Sequence, residues 1–421
     1  MLRRIDPAEV ELGMFIHKLE GSWFKHPFWK ARFLLEDPER LIDLRDSEVD
    51  AVIIDTTKGR DLAQGKPHEA LQAKSSGAAL PLRRRSPASP PPFDFRSTAR
   101  TGLSREFGHA QAVARRSEKL VSKVFLNARL GKAVDSSEVE PVIDEIFASV
   151  QRNPHAFNGL MRCKRDNQFI YQHALAVSAL MISLARQLKL SAAQIQQAGM
   201  AGLLLDTGIG HLQLDLDANG GDYREFAEEL LQNHTRLGYD CLMMGGGIPE
   251  EVALVALQHH ERLDGTGYPQ GLKGEEISLL SRMAAICDTY DRLITDTRSS
   301  RGQDPATAIL EMREQYGKFD PALLDAFVDA VGAYPAGSVV RLSSDRLALV
   351  IDQDPADHRL PHVRAFYSIP GAKLTRPEDI FLARCYGADS IVGAADPDDF
   401  GIADFATLRL RIYAAACKAA G

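Results

Sequence analysis

His259-His260-Glu261-Arg262-Leu263-Asp264-Gly265-Thr266-Gly267-Tyr268-Pro269 is the one stretch that sets paired imidazoles, a carboxylate and a Gly-Tyr-Pro turn side by side. Two neutral imidazoles next to each other make poor sense on a soluble surface unless something binds them. Successive side chains on a helix diverge by roughly 100°, so neighbouring histidines can reach two different ions, as a dinuclear site requires. Metal chemistry is the first expectation, and the pattern leading into it, Pro249 to His260, is helical.

Outward from this stretch, helical periodicity runs from Ser104 to about Gly332. Ser104 to Leu130 carries one apolar face through Phe107, Ala110, Val113, Leu120, Val121, Val124 and Phe125. Asp135 or Ser136 caps the next helix, through Val142, Ile143, Ile146 and Phe147. Further helices are expected at Gln168 to Leu188, Ala192 to Leu205, Tyr223 to Met243, Leu279 to Thr295, Pro305 to Tyr316 and Pro321 to Val331. These make a mainly α protein built on a helix bundle. Residues 1–65 alternate short apolar runs with turns, among them Met14-Phe15-Ile16, Phe33-Leu34-Leu35 and Ala51-Val52-Ile53-Ile54, with a helix near Pro38 to Leu44. They read as a small α+β domain rich in strands. Residues 66–103, with Ser86-Pro87-Ala88-Ser89-Pro90-Pro91-Pro92 and Arg83-Arg84-Arg85, read as a solvated tether. Residues 104–335 form the helical domain. After it, residues 336–421 form a short β appendix, in which Ser338 to Leu342 and Leu347 to Ile351 suggest a hairpin.

A net charge of −7 argues against coating nucleic acid or an anionic membrane, so no nucleic-acid polymer and no membrane is expected as partner. A small anion in a local positive pocket remains compatible with it. The five cysteines lie far apart, without a Cys-x-x-Cys pair, and read as reduced thiols of a cytoplasmic protein. No signal-peptide core follows Met1-Leu2-Arg3-Arg4, and no apolar run approaches the roughly 20 residues that span a bilayer. Gly208-Ile209-Gly210 and Gly245-Gly246-Gly247 follow no strand and read as helix terminators rather than phosphate loops.

Five of the 12 histidines fall between positions 173 and 260, where ligands are to be sought. His173 lies in an apolar helix, Phe169-Ile170-Tyr171-Gln172-His173-Ala174, and taken alone reads as a core histidine with a buried hydrogen bond. Asp206 follows Leu203-Leu204-Leu205 at a helix end, where a carboxylate must cap or bind something. His234 falls mid-helix, and Asp288 emerges from Met283-Ala284-Ala285-Ile286-Cys287 with Asp291 one turn later. The ordered set is what carries weight.

That set, with His-His-Glu, Asp-Gly and Gly-Tyr-Pro at these spacings, resembles the HD-GYP family of bacterial metal-dependent cyclic di-GMP phosphodiesterases, within the HD hydrolase superfamily. The resemblance covers residues 105–335; the N-terminal segment with Gly13-Met14-Phe15-Ile16 and Ser22-Trp23-Phe24-Lys25-His26-Pro27-Phe28 is similar to a domain some members carry. It implies an HD-type bundle. It also implies His173, Asp206, His234, His259, His260 and Asp288 as ligands of one or two divalent transition-metal ions, iron or manganese, with Asp206 as bridge and catalytic carboxylate. His173 and Asp288 would serve one ion, and His234, His259 and His260 the other. Gly265, Gly267, Tyr268, Pro269, Arg298 and Arg301 are the substrate-binding candidates: the tyrosine for a guanine base, the arginines, which with Arg292 form a basic cluster just past Asp288, for phosphate.

Several positions depart from the family pattern. Leu205 stands where the signature histidine would be, Ile209 where a lysine faces the substrate phosphate, and Phe169 where trinuclear members have a glutamate. The Asp-Arg-Pro-Tyr segment becomes Asp296-Thr297-Arg298-Ser299-Ser300-Arg301. A dinuclear phosphodiesterase uses both ions to stabilise charge on phosphoryl oxygens; a lost histidine weakens one ion, and a lost oxyanion donor costs on the order of 3 kcal/mol. His211 is a weak substitute ligand, because it must fold back past Gly208 and Gly210. The expectation is therefore a mononuclear or weakly dinuclear, degenerate site in a cyclic di-GMP signalling protein, binding metal and cyclic di-GMP with weak or no hydrolysis. The alternative is an active phosphodiesterase giving linear dinucleotide or GMP. Partners implied are cyclic di-GMP, GGDEF-type diguanylate cyclase domains and a second copy in a homodimer.

Overall fold

The computed structural model describes residues 2–5, 10–21, 33–35, 49–56, 58, 103–163, 169–212, 222–297, 300–354 and 357–419. The chain divides into two units, Met1–Ser89 and Pro90–Gly421.

In the first unit four strands, β1 (Leu2–Ile5), β2 (Phe15–Gly21), β3 (Phe33–Leu34) and β4 (Val49–Asp55), form a sheet in the order β1-β4-β2-β3. β4 pairs antiparallel with β1, Leu2 opposite Asp55, and with β2, Ile16 opposite Ile54. Side chains alternate across a strand, which is why Val52 and Ile54 are buried with Ile5, Met14, Ile16 and Leu35 while Ile53 is half-buried. The helix expected near Pro38 to Leu44 and most of the 66–103 tether lie outside the described residues.

The second unit is a helical bundle joined to a sheet. Its helices are α1 (Leu103–Arg129), α2 (Ser136–Arg152), α3 (Pro154–Cys163), α4 (Phe169–Gln187), α5 (Ala192–Leu204), α6 (Glu228–Leu231), α7 (His234–Met243), α8 (Glu250–Gln258), α9 (Leu279–Ile294), α10 (Pro305–Glu314) and α11 (Pro321–Val331). Asp135 caps α2, its carboxylate accepting from Ser137 N at 2.8 Å. Helix α4 is the centre: every residue from His173 to Ala185 is buried. It is the one described helix long and apolar enough to cross a bilayer, and it is mostly buried inside this bundle. Gly202 lets α5 lie against α4, since a Cβ there would sit 2.9 Å from the Ser178 backbone. That close approach brings the end of α5, and Asp206 just beyond it, beside His173. Gly208, in the 3-10 turn Thr207–His211, has no room for a side chain against the His234 carbonyl, so its role is close packing as well as ending the helix.

The expected helix from Tyr223 to Met243 is in fact a 3-10 turn (Tyr223–Glu225) followed by α6 and α7. The break makes His234 the first residue of α7 instead of a mid-helix residue, and its ring turns back onto the Leu231 carbonyl. Helix α8 likewise stops at Gln258, leaving His259 as its C-cap.

Beyond α11, strands β5 (Val339–Leu342), β6 (Arg346–Asp352), β7 (His362–Ser368), β8 (Lys373–Phe381) and β9 (Ile391–Ala394) form an antiparallel sheet in the order β8-β7-β6-β5-β9, and helix α12 (Phe405–Ala419) follows. The expected hairpin is β5 and β6, with Val339 opposite Leu349. Leu347, Leu349 and Ile351 enter the helical core, whereas Ala348 and Val350 face a second apolar cluster, so β6 is buried on both faces and reads as a continuous apolar run. Tyr413 of α12 is fully buried and donates to the His155 carbonyl at 3.2 Å, so this region shares the bundle's core.

Candidate metal centre

Three buried imidazoles converge where α7 begins and α8 ends. His234 Nδ1 lies 2.6 Å from the Leu231 carbonyl, and His259 Nδ1 lies 3.1 Å from both the Val255 and Ala256 carbonyls. Carbonyl oxygens only accept, so each Nδ1 carries a proton and each ring turns its Nε2 inward. The two Nε2 atoms face each other at 3.2 Å. Two ring nitrogens at this distance share a proton or a metal ion. A shared proton joins two rings; a metal ion can join all three imidazoles of the cluster.

His260 completes the group, its ring 4.1 Å from that of His259, and a nitrogen from each of the three rings falls within 4.8 Å of the others. Burial, then the neighbouring imidazoles, push His260 well below its ordinary pKa, so it stays a neutral ligand. Asp206 Oδ1 stands 3.2 Å from His234 Nε2 and 3.7 Å from His259 Nε2. Three imidazoles and one carboxylate, all buried, fit a divalent transition metal. The two adjacent histidines both face this one cluster, because the helix ends at Gln258 and the chain turns.

The other side is built differently. His173 Nδ1 meets Asp291 Oδ2 at 2.7 Å and its Nε2 meets Asp288 Oδ1 at 3.1 Å. Both partners are acceptors, so without metal the ring holds both protons. Burial lowers its pKa, yet the bonds to Asp288 and Asp291 outweigh it and raise it from 6.5 to about 10. An ion on this side has to displace a proton from Nε2.

The sign of the resulting pH dependence follows directly. His173 gains its proton more readily folded than unfolded, so its contribution to stability is full below about pH 6.5 and is lost as pH rises through about 10. Chelator-treated protein is expected to melt lower at pH 10 than at pH 7, and Asp291→Asn to flatten that decline. Equal pH slopes for the two proteins would remove the His173–Asp291 pair as its cause.

A cavity of about 370 Å³ opens beside His260 and Asp288, within the size range of small-molecule sites (about 300–1,000 Å³). Thr266, Gly267 and Tyr268 form one wall and Arg262, Arg292 and Lys318 supply positive charge. Tyr268 stacks on His260 at 4.6 Å and 22°. Glu261 is not a ligand of the cluster: its two carboxylate oxygens accept from Gln270 N (2.7 Å) and Leu272 N (3.1 Å), pinning the loop. Gly267 packs onto the His260–Arg262 backbone, where no Cβ fits, and Gly265 has φ +81°.

Residues 2–139 match a domain of unknown function, DUF3391, and residues 160–323 match the HD domain. The chain is 42% identical to cyclic di-GMP phosphodiesterase PA4108 of Pseudomonas aeruginosa over 93% of its own length and 92% of that protein. The chain belongs to the HD-GYP family. It is also 34% identical to the cyclic di-GMP phosphodiesterase response regulator RpfG of Xanthomonas campestris pv. campestris, over 34% of this chain and 39% of that one. Among solved structures, Bd1817, an HDG"Y"P protein from Bdellovibrio bacteriovorus, superposes with a TM-score of 0.46 at 18% identity, covering 78% of this chain and 99% of that chain.

Against the HD-GYP reading of the sequence, the structure brings His173, Asp206, His234, His259, His260 and Asp288 into one buried region. Gly267 and Tyr268 line the cavity; Gly265 and Pro269 belong to the same loop without lining it. Arg298 lies outside the described residues. Arg301 is not brought to the cavity, because Asp396 and Asp398 pair with its guanidinium, which also lies over Phe405. His211 is not part of the imidazole cluster. Leu205 is buried in the main core and Ile209 in a smaller cluster with Tyr223 and Leu231. Sequence reasoning missed Tyr223, whose hydroxyl donates to Asp206 Oδ2 at 2.6 Å, and also Arg262 and Lys318, whereas Arg292 of the basic cluster past Asp288 does line the cavity. Only Arg292 had a readable signal, one turn after Asp288 on an amphipathic helix.

Proposed function

We propose that this protein binds one divalent transition metal, iron or manganese, together with cyclic di-GMP, and hydrolyses the nucleotide weakly or not at all. One observation carries the reading: three imidazole nitrogens lie within 4.8 Å of one another with Asp206 Oδ1 beside two of them, while His173 spends both ring nitrogens on Asp288 and Asp291. A bound ion would polarise a phosphoryl oxygen, which one ion does with less reach than a pair. The chain's own groups orient the ligand. Arg292 and Lys318 neutralise phosphate in the cavity, and Tyr268, braced by His260, offers a flat face to a guanine base. GGDEF-type cyclase domains, a second copy and cytoplasmic residence belong to the same reading.

The second reading, hydrolysis to linear dinucleotide or GMP, is favoured by the similarity to a named phosphodiesterase over 93% of the chain. Anaerobically purified protein is expected to hold about one ion per chain and to leave cyclic di-GMP intact in chromatography. Robust turnover would restore the second reading, and protein that takes up no metal would remove the first.

A further inference from the structure

The two oxygens of Asp206 have different neighbours. Oδ1 faces the imidazole cluster, 3.2 Å from His234 Nε2. Oδ2 accepts a 2.6 Å hydrogen bond from the Tyr223 hydroxyl and lies 3.6 Å from His173 Nε2. A carboxylate can bridge two ions by giving a lone pair from each oxygen. Here the shortest contact of the second oxygen is an O–H donor.

Tyr223 is held there by packing on several elements. Its ring is 3% exposed and sits in an apolar cluster with Ile209 and Leu231, bordered by Ile170, Leu212 and Phe226. Arg224 forks onto Asp222 through two 2.8 Å bonds, donates to the Asp296 carbonyl at 3.0 Å, and lays its guanidinium 5.1 Å from the Phe169 ring. Through these contacts residues 222–226 are tied to the start of the helix that carries His173, to the turn after Asp206 and to the segment after the helix that carries Asp288. The phenol is therefore a built part of the centre.

We propose that Tyr223 sets the ion capacity of the centre: its hydroxyl holds Asp206 Oδ2 against a second ion and aims Oδ1 at the imidazole cluster. Tyr223 acts through Asp206 and is a positioning residue. The proposal rests on the one-ion reading above and adds the residue that enforces it.

Tyr223→Phe removes only the hydroxyl, and Tyr223→Leu refills the apolar cluster if the first variant fails to fold. Each full-length protein is equilibrated anaerobically with manganese(II), dialysed, and measured for manganese per chain and by electron paramagnetic resonance, with melting temperature as the check on folding. The native chain is expected to hold about one ion and Tyr223→Phe about two, with the exchange-coupled spectrum of a shared-carboxylate pair. Adding Asp288→Asn to Tyr223→Phe is expected to return the count to about one. A folded Tyr223→Phe that keeps the native count overturns the proposal and leaves the one-ion reading standing. A folded Tyr223→Phe that loses its ion overturns it too, by making the phenol a ligand. A native chain holding no ion, or a coupled pair, overturns the one-ion reading and the role of Tyr223 together.

Discussion

His259→Ala is expected to empty the metal centre. His259 is fully buried, and its Nε2 lies 3.2 Å from His234 Nε2 and 3.7 Å from Asp206 Oδ1. Loss of a residue that merely orients a ligand costs metal affinity roughly 10- to 100-fold, and loss of a ligand costs more. A bound ion at a hundred times its dissociation constant stabilises the fold by about 2.7 kcal/mol. Chelation is therefore expected to lower the melting temperature of the native protein and leave that of His259→Ala almost unmoved. Elemental analysis supplies the direct reading. A variant that retains a full complement of metal would dismiss the imidazole cluster as the binding site.

Arg292→Ala is expected to weaken cyclic di-GMP binding by roughly 10- to 150-fold, since a hydrogen bond to a charged group contributes about 1.5–3 kcal/mol. Arg292 lines the cavity with Tyr268 and Asp288 and carries the charge closest in sequence to the centre's own carboxylates. Arg292→Lys should recover part of the loss, because it keeps the charge without the planar fork. Isothermal titration with the nucleotide checks both variants. Unchanged affinity in Arg292→Ala would place the phosphates elsewhere, with Arg262 and Lys318 as the next groups to replace.

The candidate ligands were legible in the sequence because local pattern sets most of them apart. Asp206 follows three leucines, Asp288 emerges from an apolar run, and His259 and His260 end a periodic stretch. What sequence pattern could not supply was partnership across the chain. Tyr223 carries no motif, and its value comes from a turn folded back onto a carboxylate 17 positions earlier. Arg301 looked like a phosphate ligand because it follows Asp288 closely, yet Asp396 and Asp398, almost a hundred positions later, take it. The break before His234 was hidden for a related reason: Glu228 to Met243 contains no proline to mark a stop, and burial of the His234 ring against the Leu231 carbonyl accompanies the restart of the helix. In the C-terminal sheet β6 was readable from its apolar run, whereas β8, with a largely exposed face, offered no alternation to follow.

Tyr268 rests flat on His260, and His260 in turn belongs to the imidazole cluster. Any occupant that shifts the phenol also shifts a metal donor, so the two binding events share one lever. Thermodynamic reciprocity then requires that nucleotide tune the hold on metal by the same factor with which metal tunes the hold on nucleotide. On the proposed one-ion reading, nucleotide and metal would then be sensed jointly rather than separately.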